Sequence, residues 1–404
     1  MKKIMILSSV YTGHGHASIA QSIAEQLDQF DDVRYEVVDG FTLIGKAGIQ
    51  ISKIYGPITR NARDLWKMTY ALSDHYPRAL TEAVTAAIHD RFLQKLSQFM
   101  PDLILTVHSL FNGSVIDLLS FYGLDIPVYV LQADIINIHG SWCDPRAALT
   151  LCPTHEAYDS SIQRGMPEQK LKLCGFPTRA QFTEAARAAK PGGEYDGTRA
   201  LNCLMMSGGE GSGNMLRYAR CLLKHVDMRL TIICGRNERL KATLEQELSE
   251  YRDRLTVHGF LTNVHEPMLK SDLVIARGSP NTLMEAVVLN VPLLITGALP
   301  GQEAENPAVM VAHGLGVVCE HPESAPAIVN TLMRDGGKRL QEIRAAQRAY
   351  RNLDNAKDIA ELLRAEAMPC DRATPRKRMM LLRRAGGRAS KPAAQLGRAR
   401  GLEE

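Results

Sequence analysis

Short apolar runs of four to six residues recur through this 404-residue chain, each followed by an amphipathic stretch, and the series stops once and restarts. Ile4–Ser8, Tyr35–Val38, Leu103–Val107 and Val128–Leu131 read as strands with helical patterns between them. The stretch 183–200 then breaks the pattern. It is rich in Ala, Gly, Lys and Glu and contains Pro191-Gly192-Gly193, a linker by composition. Leu201–Met206, Leu230–Cys234, Leu255–His258, Leu273–Ala276, Leu293–Thr296 and Gly316–Cys319 resume the alternation. A strand followed by a crossover helix returns as a parallel strand, so the chain is expected to be α/β, with two doubly wound sheets in domains 1–182 and 201–366. From Pro369 on, Pro, Arg, Lys, Gly and Ala dominate and no apolar periodicity persists beyond Met379–Leu382, so 367–404 reads as a disordered basic tail.

Composition narrows the class. Apolar residues make up 45% and charged residues 23%, ordinary for a soluble globular protein. A chain this long buries enough surface to fold without disulfides or a structural metal. The net charge of +4 is uneven: Asp371 to Glu404 holds ten Lys/Arg and three Asp/Glu, so the rest carries a net of −3. A near-neutral body disfavours a body-wide nucleic-acid surface. The eight cysteines form no CxxC pair and lie mostly in apolar contexts, which fits reduced, cytosolic thiols. No stretch approaches a transmembrane span. Met1-Lys2-Lys3 followed by Ile4–Val10 resembles a signal peptide only faintly and runs into Thr12-Gly13-His14-Gly15-His16 without a small-residue cleavage site, so a buried first strand is expected. These features leave a cytosolic protein that can touch a membrane without crossing it.

Ligands of open α/β sheets bind beyond the carboxyl ends of the strands, so the loops there are where chemistry is to be sought. The first is Ser8–His16. Its glycines allow close approach of a ligand, the helix from Ala17 points free N–H groups into the same space, and a histidine there can serve as a base near neutral pH. A dinucleotide fingerprint is the alternative, but position 18 is Ser and no third glycine follows. The second loop, Ser207–Gly213, has four glycines in six residues at 208–213. It can cradle a phosphate, but lacks the Lys-Ser/Thr ending of a P-loop and would look similar as a flexible connection.

The third loop, Ala276–Thr282, leads into the helix Leu283-Met284-Glu285-Ala286. Pro280 and the Ser/Asn/Thr cluster mark a helix start that offers N–H donors to an anion beside Arg277. Glu285 either complements the helix dipole or accepts both hydroxyls of a ribose. The fourth, Leu299–Asn306, gathers Gln302, Glu303 and Asn306, suited to sugar hydroxyls or simply solvated. The fifth is Gln132–Trp142. Asp134 follows an apolar strand directly, where a carboxylate is costly unless it is functional or held by structural hydrogen bonds.

Together these stretches resemble the monogalactosyldiacylglycerol synthases and processive diacylglycerol glucosyltransferases, and more remotely the N-acetylglucosaminyltransferase of peptidoglycan lipid intermediates. Gly13–Ala20, Asp134–Trp142, Gly175-Phe176-Pro177 with Arg179, Gly208–Gly213, Gly259-Phe260, Thr282–Ala286 and Pro300–Asn306 stand in family order, and the likeness spans about residues 4–365. The resemblance implies a GT-B architecture of two Rossmann-like domains facing a cleft, with a UDP-sugar on the C-terminal side and a lipid acceptor on the other.

By position, His16 matches the general base and Asp134 an acidic acceptor-side residue. Glu285 matches the ribose carboxylate, Gln302 and Glu303 the sugar contacts, and Gly259-Phe260 the uracil site. Gly209, Gly211, Ser212 and Gly213 fall in the diphosphate loop. Arg277, Ser279, Asn281, Thr282 and Asn306 complete the expected donor side; His139, Trp142 and Trp66 are expected at the acceptor or membrane. The family pattern Thr-Asp is Ala133-Asp134 here, and its Lys-Ala-Gly-Pro-Gly-Thr is Arg277–Thr282. The implied activity is inverting transfer of glucose or galactose from UDP to diacylglycerol, with no metal or other cofactor, in agreement with the absence of any Asp-x-Asp pair. Transfer or epimerisation of a UDP-N-acetylamino sugar and a non-catalytic UDP-sugar sensor remain alternatives. Ile51, Ile54, Tyr55, Ile58, Ala62, Leu65, Trp66 and Thr69, interleaved with Lys53, Arg60, Arg63 and Lys67, read as a basic amphipathic helix for an anionic membrane surface or, equally, as a core-packing helix. Peripheral attachment to the inner face of the cell membrane is the expectation that follows.

Overall fold

The computed structural model describes residues 1–9, 14–50, 63–75, 77–190, 194–207 and 214–368. Two six-stranded, wholly parallel sheets make up the molecule. The first contains β1 (Lys2–Ser8), β2 (Val33–Asp39), β3 (Leu103–Thr106), β4 (Val128–Leu131), β5 (Leu149–Cys152) and β6 (Leu171–Leu173), in spatial order β2-β1-β3-β4-β5-β6. Its helices are α1 (His14–Leu27), α2 (Gly40–Ile44), α3 (Arg63–His75), α4 (Pro77–Phe99), α5 (Ser109–Phe121), α6 (His155–Gln163) and α7 (Ala180–Ala188). The second contains β7 (Leu201–Met206), β8 (Met228–Ile233), β9 (Leu255–His258), β10 (Leu273–Ala276), β11 (Leu293–Ile295) and β12 (Gly316–Val318), in order β12-β11-β10-β7-β8-β9. Helices α8 (Met215–His225), α9 (Glu238–Glu247), α10 (His265–Leu269), α11 (Pro280–Val288), α12 (Asn306–Ala312), α13 (Ala325–Tyr350) and α14 (Asn355–Glu366) complete the chain.

The central strands are apolar on both faces because helices cover both. Ile4 to Leu7 of β1 and Leu103 to Leu105 of β3 are fully buried, paired in register from Ile4 with Leu103 to Leu7 with Thr106. Strand order reverses between β1 and β3 in one sheet and between β7 and β10 in the other. A crevice opens at such a reversal, beyond the carboxyl ends of its two strands. The carboxyl ends of β1, β3, β7 and β10 thereby border this crevice.

The first sheet has two more strands than the four read from the sequence. β5 is the four-residue Leu149-Thr150-Leu151-Cys152 cut off by Pro153, and β6 is a three-residue edge strand with only Leu171 buried. The first part of the stretch read as a linker is helical, as α7, with Phe182 and Ala186 buried. Tyr195 of the same stretch is buried in the second core, against Gly337 of a left-handed kink in α13. The last helix, α14, crosses back to the first sheet. Ala356, Ile359, Ala360 and Leu363 join its core, Arg364 Nε donates to Asp32 Oδ1 at 2.8 Å, and Tyr129 Oη donates to Glu366 Oε2 at 3.1 Å. Two chain crossings therefore connect the units. The Gly208–Gly213 loop, most of the Ile51–Thr69 pattern and the tail from Pro369 lie outside the described residues.

Candidate active site

His16 sits in the first turn of α1, where the loop after β1 delivers it to the crevice. Its Nδ1 lies 2.7 Å from the carbonyl oxygen of Val107, the residue that follows β3. A carbonyl oxygen only accepts, so Nδ1 carries the proton and Nε2 keeps its lone pair. The ring of His108 stacks beside it, centroids 4.3 Å apart, and Trp142 lies at 6.3 Å. Burial draws the His16 pKa down to about 4, against the opposing hydrogen bond to Val107. His108 is lowered well below the ordinary range, again by burial and then by His16. Two neutral imidazoles thus share this end of the cleft.

Asp134 follows β4 and is almost fully buried. Trp142 Nε1 donates to its Oδ2 at 2.7 Å, and Gln302 Nε2, from the other unit, donates to its Oδ1 at 2.9 Å. Burial raises its pKa to about 6. The two hydrogen bonds oppose that rise, and the negative charge of Glu303 adds to it. The acceptor-side and donor-side residues expected from the sequence are therefore brought into direct contact.

The donor side is organised by the turn after β10. Gly278 N donates to Gly297 O at 2.7 Å, and the buried Asn306 donates through Nδ2 to Gly278 O at 2.8 Å, which pins the turn from both sides. Ser279 occupies the N-cap position of α11, with Pro280 at its first turn and Thr282 buried. Across the cleft, a Cβ placed on Gly15 would come within 2.9 Å of Asn281 Nδ2, so the N-terminal ends of α1 and α11 face one another at close range. Both ends present N–H groups that helix geometry leaves without intrahelical partners. Such convergence favours a bound anion. Arg277 Nε stands 3.4 Å from Glu303 Oε2, and that same oxygen accepts from Leu299 N at 2.9 Å. Glu303 therefore faces Arg277 and the Leu299 amide.

Glu285 is buried on α11, and its partner comes from the first unit: Arg179 Nη2 donates to Glu285 Oε1 at 2.9 Å. Burial raises the Glu285 pKa, with Arg179 acting against it. Phe260 is half exposed with the Arg236 guanidinium 4.7 Å above its ring, and Gly259 leaves no slack for a Cβ, which would meet Glu238 Oε1 at 3.0 Å.

On the acceptor side Trp142 is fully buried, and His139 nearly so. Ser73 Oγ donates to Tyr70 O at 2.8 Å and accepts from His139 Nε2 at 3.1 Å, while His139 Nδ1 accepts from Ser141 N at 3.1 Å. His139 is thus a neutral support that joins α3 to the Gly140–Trp142 turn, its pKa lowered by burial. Asp74 accepts from Gly140 N at 2.6 Å and from both Arg164 Nη atoms at 2.9 Å, which fixes the same junction. Trp66 falls on α3, but its side chain lies outside the described residues, as do Gly209, Gly211, Ser212 and Gly213. Among the described residues no group of three His, Cys, Asp or Glu side chains is placed to hold a metal ion.

His108 and Tyr70 were not singled out as site residues from the sequence, nor was the pairing of Arg179 with Glu285. His108 carried a usable signal, since it directly follows a central strand. Tyr70, against which Gly301 packs at 3.0 Å from a Cβ position, carried none.

Residues 16–178 match the family model described as monogalactosyldiacylglycerol (MGDG) synthase, and residues 208–363 match the glycosyltransferase family 28 C-terminal domain. Monogalactosyldiacylglycerol synthase 1, chloroplastic, from Arabidopsis thaliana is 28% identical over 361 residues, covering 84% of this chain and 66% of that protein. The processive diacylglycerol beta-glucosyltransferase of Staphylococcus carnosus is 26% identical over 347 residues, covering 83% of this chain and 85% of its own. The chain thus spans about two thirds of the length of the plant relative. The crystal structure of Acinetobacter baumannii MurG superposes with a TM-score of 0.58 at 15% identity, covering 90% of this chain and all of that one. At that identity the likeness speaks for the fold, which is the GT-B arrangement of two parallel sheets. The chain thus carries, one after the other, a region that matches the monogalactosyldiacylglycerol synthase family model and a family 28 glycosyltransferase C-terminal domain.

Proposed function

We propose that the protein is an inverting glycosyltransferase that moves glucose or galactose from a UDP-sugar to the free hydroxyl of diacylglycerol. The observation that carries this reading is the tautomer of His16, whose Nδ1–H is committed to Val107 O and whose Nε2 is left as a base. The acceptor oxygen attacks the anomeric carbon, the bond from that carbon to the diphosphate breaks, and the hydroxyl proton passes to His16 Nε2. One displacement inverts the anomeric centre. Charge develops on the departing UDP, and the N–H groups at the starts of α1 and α11, with Arg277, answer it without reorganising. No metal is assigned a part, and turnover is expected to persist in EDTA.

The names of the relatives support this substrate pair, since one is a galactosyldiacylglycerol synthase and the other a diacylglycerol glucosyltransferase. The acceptor resides in a bilayer, so the enzyme is proposed to dock peripherally on the cytoplasmic face. Among the described residues no helix is long and apolar enough to cross a membrane. Incubation with diacylglycerol vesicles and, separately, UDP-glucose, UDP-galactose and UDP-N-acetylglucosamine, followed by thin-layer separation of the lipids, tests the proposal. A new glycolipid from one of the first two is expected. Label appearing in lipid only from UDP-N-acetylglucosamine, interconversion of the nucleotide sugars without lipid product, or binding with neither would replace it with the corresponding alternative.

A further inference from the structure

The turn Val107-His108 is built to hold His16 in two ways at once. The carbonyl of Val107 accepts from His16 Nδ1, and the ring of the next residue stacks on the His16 ring at 4.3 Å with an interplanar angle of 38°. His108 is itself immobilised. It is the N-cap of α5, and its Nδ1 accepts from Leu110 N at 3.3 Å, so in the neutral ring the proton is on Nε2. Phe41 packs edge-on against it at 5.6 Å and Phe111 at 5.4 Å. A capping residue needs only a side-chain oxygen, and Ser, Thr, Asp and Asn are the usual choices. An imidazole in an aromatic cage, stacked on a second imidazole, exceeds what capping requires.

We propose that His108 is a positioning residue for the transferase reaction, one that never touches substrate but fixes the plane of the His16 ring and keeps that ring unprotonated. This rests on the reading of His16 as the base. The physical basis is burial: the His108 ring, itself held by Phe41 and Phe111, covers the His16 ring, and Trp142 lies on another side, so a cation on His16 would be cut off from water. Among the described residues, the groups facing the pair include the Val107 carbonyl, the Trp142, Phe41 and Phe111 rings and, beyond the Trp142 indole, the Asp134 carboxyl that accepts its N–H. The depressed pKa of both rings agrees with this arrangement. A ring that stays neutral is ready to accept a proton at any pH at which the protein works.

Two substitutions separate positioning from capping. His108→Asn keeps a capping oxygen for Leu110 N and removes the stacked ring. His108→Phe keeps a stacked ring and removes the cap. Positioning predicts that His108→Asn lowers kcat about 10- to 100-fold, the scale of a misoriented catalytic group, with the UDP-sugar KM unchanged. It also predicts that the His16 titration, followed by NMR and assigned with His16→Gln, moves from about 4 toward the ordinary 6.5 and carries the acid limb of the pH–rate profile with it. His108→Phe should retain most of kcat and the low titration while melting earlier. Wild-type kcat and an unmoved His16 titration in His108→Asn would overturn the proposal. So would a wild-type His16 that titrates near 6.5, a reading that needs no folded variant. Because the titration requires no turnover, it decides the role of His108 even where no lipid product forms and the transferase reading itself fails.

Discussion

Asp134 Oδ1 accepts a hydrogen bond from Gln302 Nε2 at 2.9 Å, joining the loop after β4 of one sheet to the loop after β11 of the other. The second oxygen of the same carboxylate holds the Trp142 indole N–H, and Trp142 lies beside His16. One buried carboxylate therefore ties the position of the loop after β11 to Trp142 and, through it, to the surroundings of His16. A donor sugar that engages Gln302 must compete with this bond, so binding of the sugar and release of Asp134 are linked.

That carboxylate makes stability depend on pH in a direction opposite to the usual one. Its pKa is raised to about 6 in the folded protein, above the 3.8 of a free aspartate, so between those values the folded state binds more protons than the unfolded one. Stability from this group is then fully present below about pH 3.8 and is lost as pH rises through 6, by on the order of 2–3 kcal/mol for a shift of about two units. Asp134→Asn cannot titrate. The stability of the variant minus that of wild type, from urea unfolding at pH 4 to 7, should rise by that amount. A difference independent of pH would show that Asp134 is ionised throughout.

His16→Ala should lose roughly 10²- to 10⁴-fold in turnover, the contribution of a general base, while UDP binding measured by calorimetry stays within about twofold. His14→Ala is the control, because His14 begins the same helix two residues earlier. A His16 variant that keeps more than about a third of wild-type turnover removes it from the chemistry. If the His14 variant is the inactive one, the base has been assigned to the wrong histidine.

Glu285 is expected to serve the ribose, yet it is half of a buried ion pair with Arg179. Removing Arg179 leaves a buried carboxylate without its partner, which costs about 3–5 kcal/mol, whereas removing both groups leaves neither charge unpaired. Arg179→Ala should therefore melt well below wild type, and the double variant Arg179→Ala/Glu285→Ala should recover most of the loss. UDP affinity provides a second test. Glu285→Ala should weaken it by a few kcal/mol, since each hydrogen bond to a charged group is worth about 1.5–3. Unchanged affinity in a folded variant would leave Glu285 with the ion pair as its only task.

Much of this site was legible because parallel sheets place chemistry at strand ends. His16, Asp134, Arg277 and Gln302 were all found by reading the residues that follow apolar runs. Partnership across the cleft was not legible. Nothing local to Glu285 points to Arg179, 106 positions away in the chain, or joins Asp134 to Gln302, 168 positions away. The same holds for α14. The spacing of Ala356, Ile359, Ala360 and Leu363 gives an amphipathic helix, but periodicity says which face is buried and not which sheet buries it. β5 and β6 were not read from the sequence, and β6 is an edge strand with only Leu171 buried.

Helix α3 presents different chemistry on its two faces. Tyr70 turns inward against Gly301 of the donor loop, while Met68 and Leu72, four residues apart and so on one side, are 61% and 59% exposed next to the exposed Lys67. Exposed apolar side chains beside a cation suit the interface of an anionic bilayer, and the helix that carries them also reaches the site. Burying each of the two in lipid is worth about 1.5–3 kcal/mol, and each nearby Lys or Arg about 1 kcal/mol at low salt. Met68→Glu/Leu72→Glu should therefore weaken sedimentation with phosphatidylglycerol vesicles by at least about 100-fold, since 1.4 kcal/mol is a factor of ten. Transfer to lipid in vesicles should fall with it, while UDP affinity is unchanged. Binding should also decline with salt, and deletion after Met368 should weaken it further by removing the basic tail. Equal sedimentation with neutral and anionic vesicles would refute the electrostatic contribution. Undiminished binding by the double variant would show that α3 does not face the membrane.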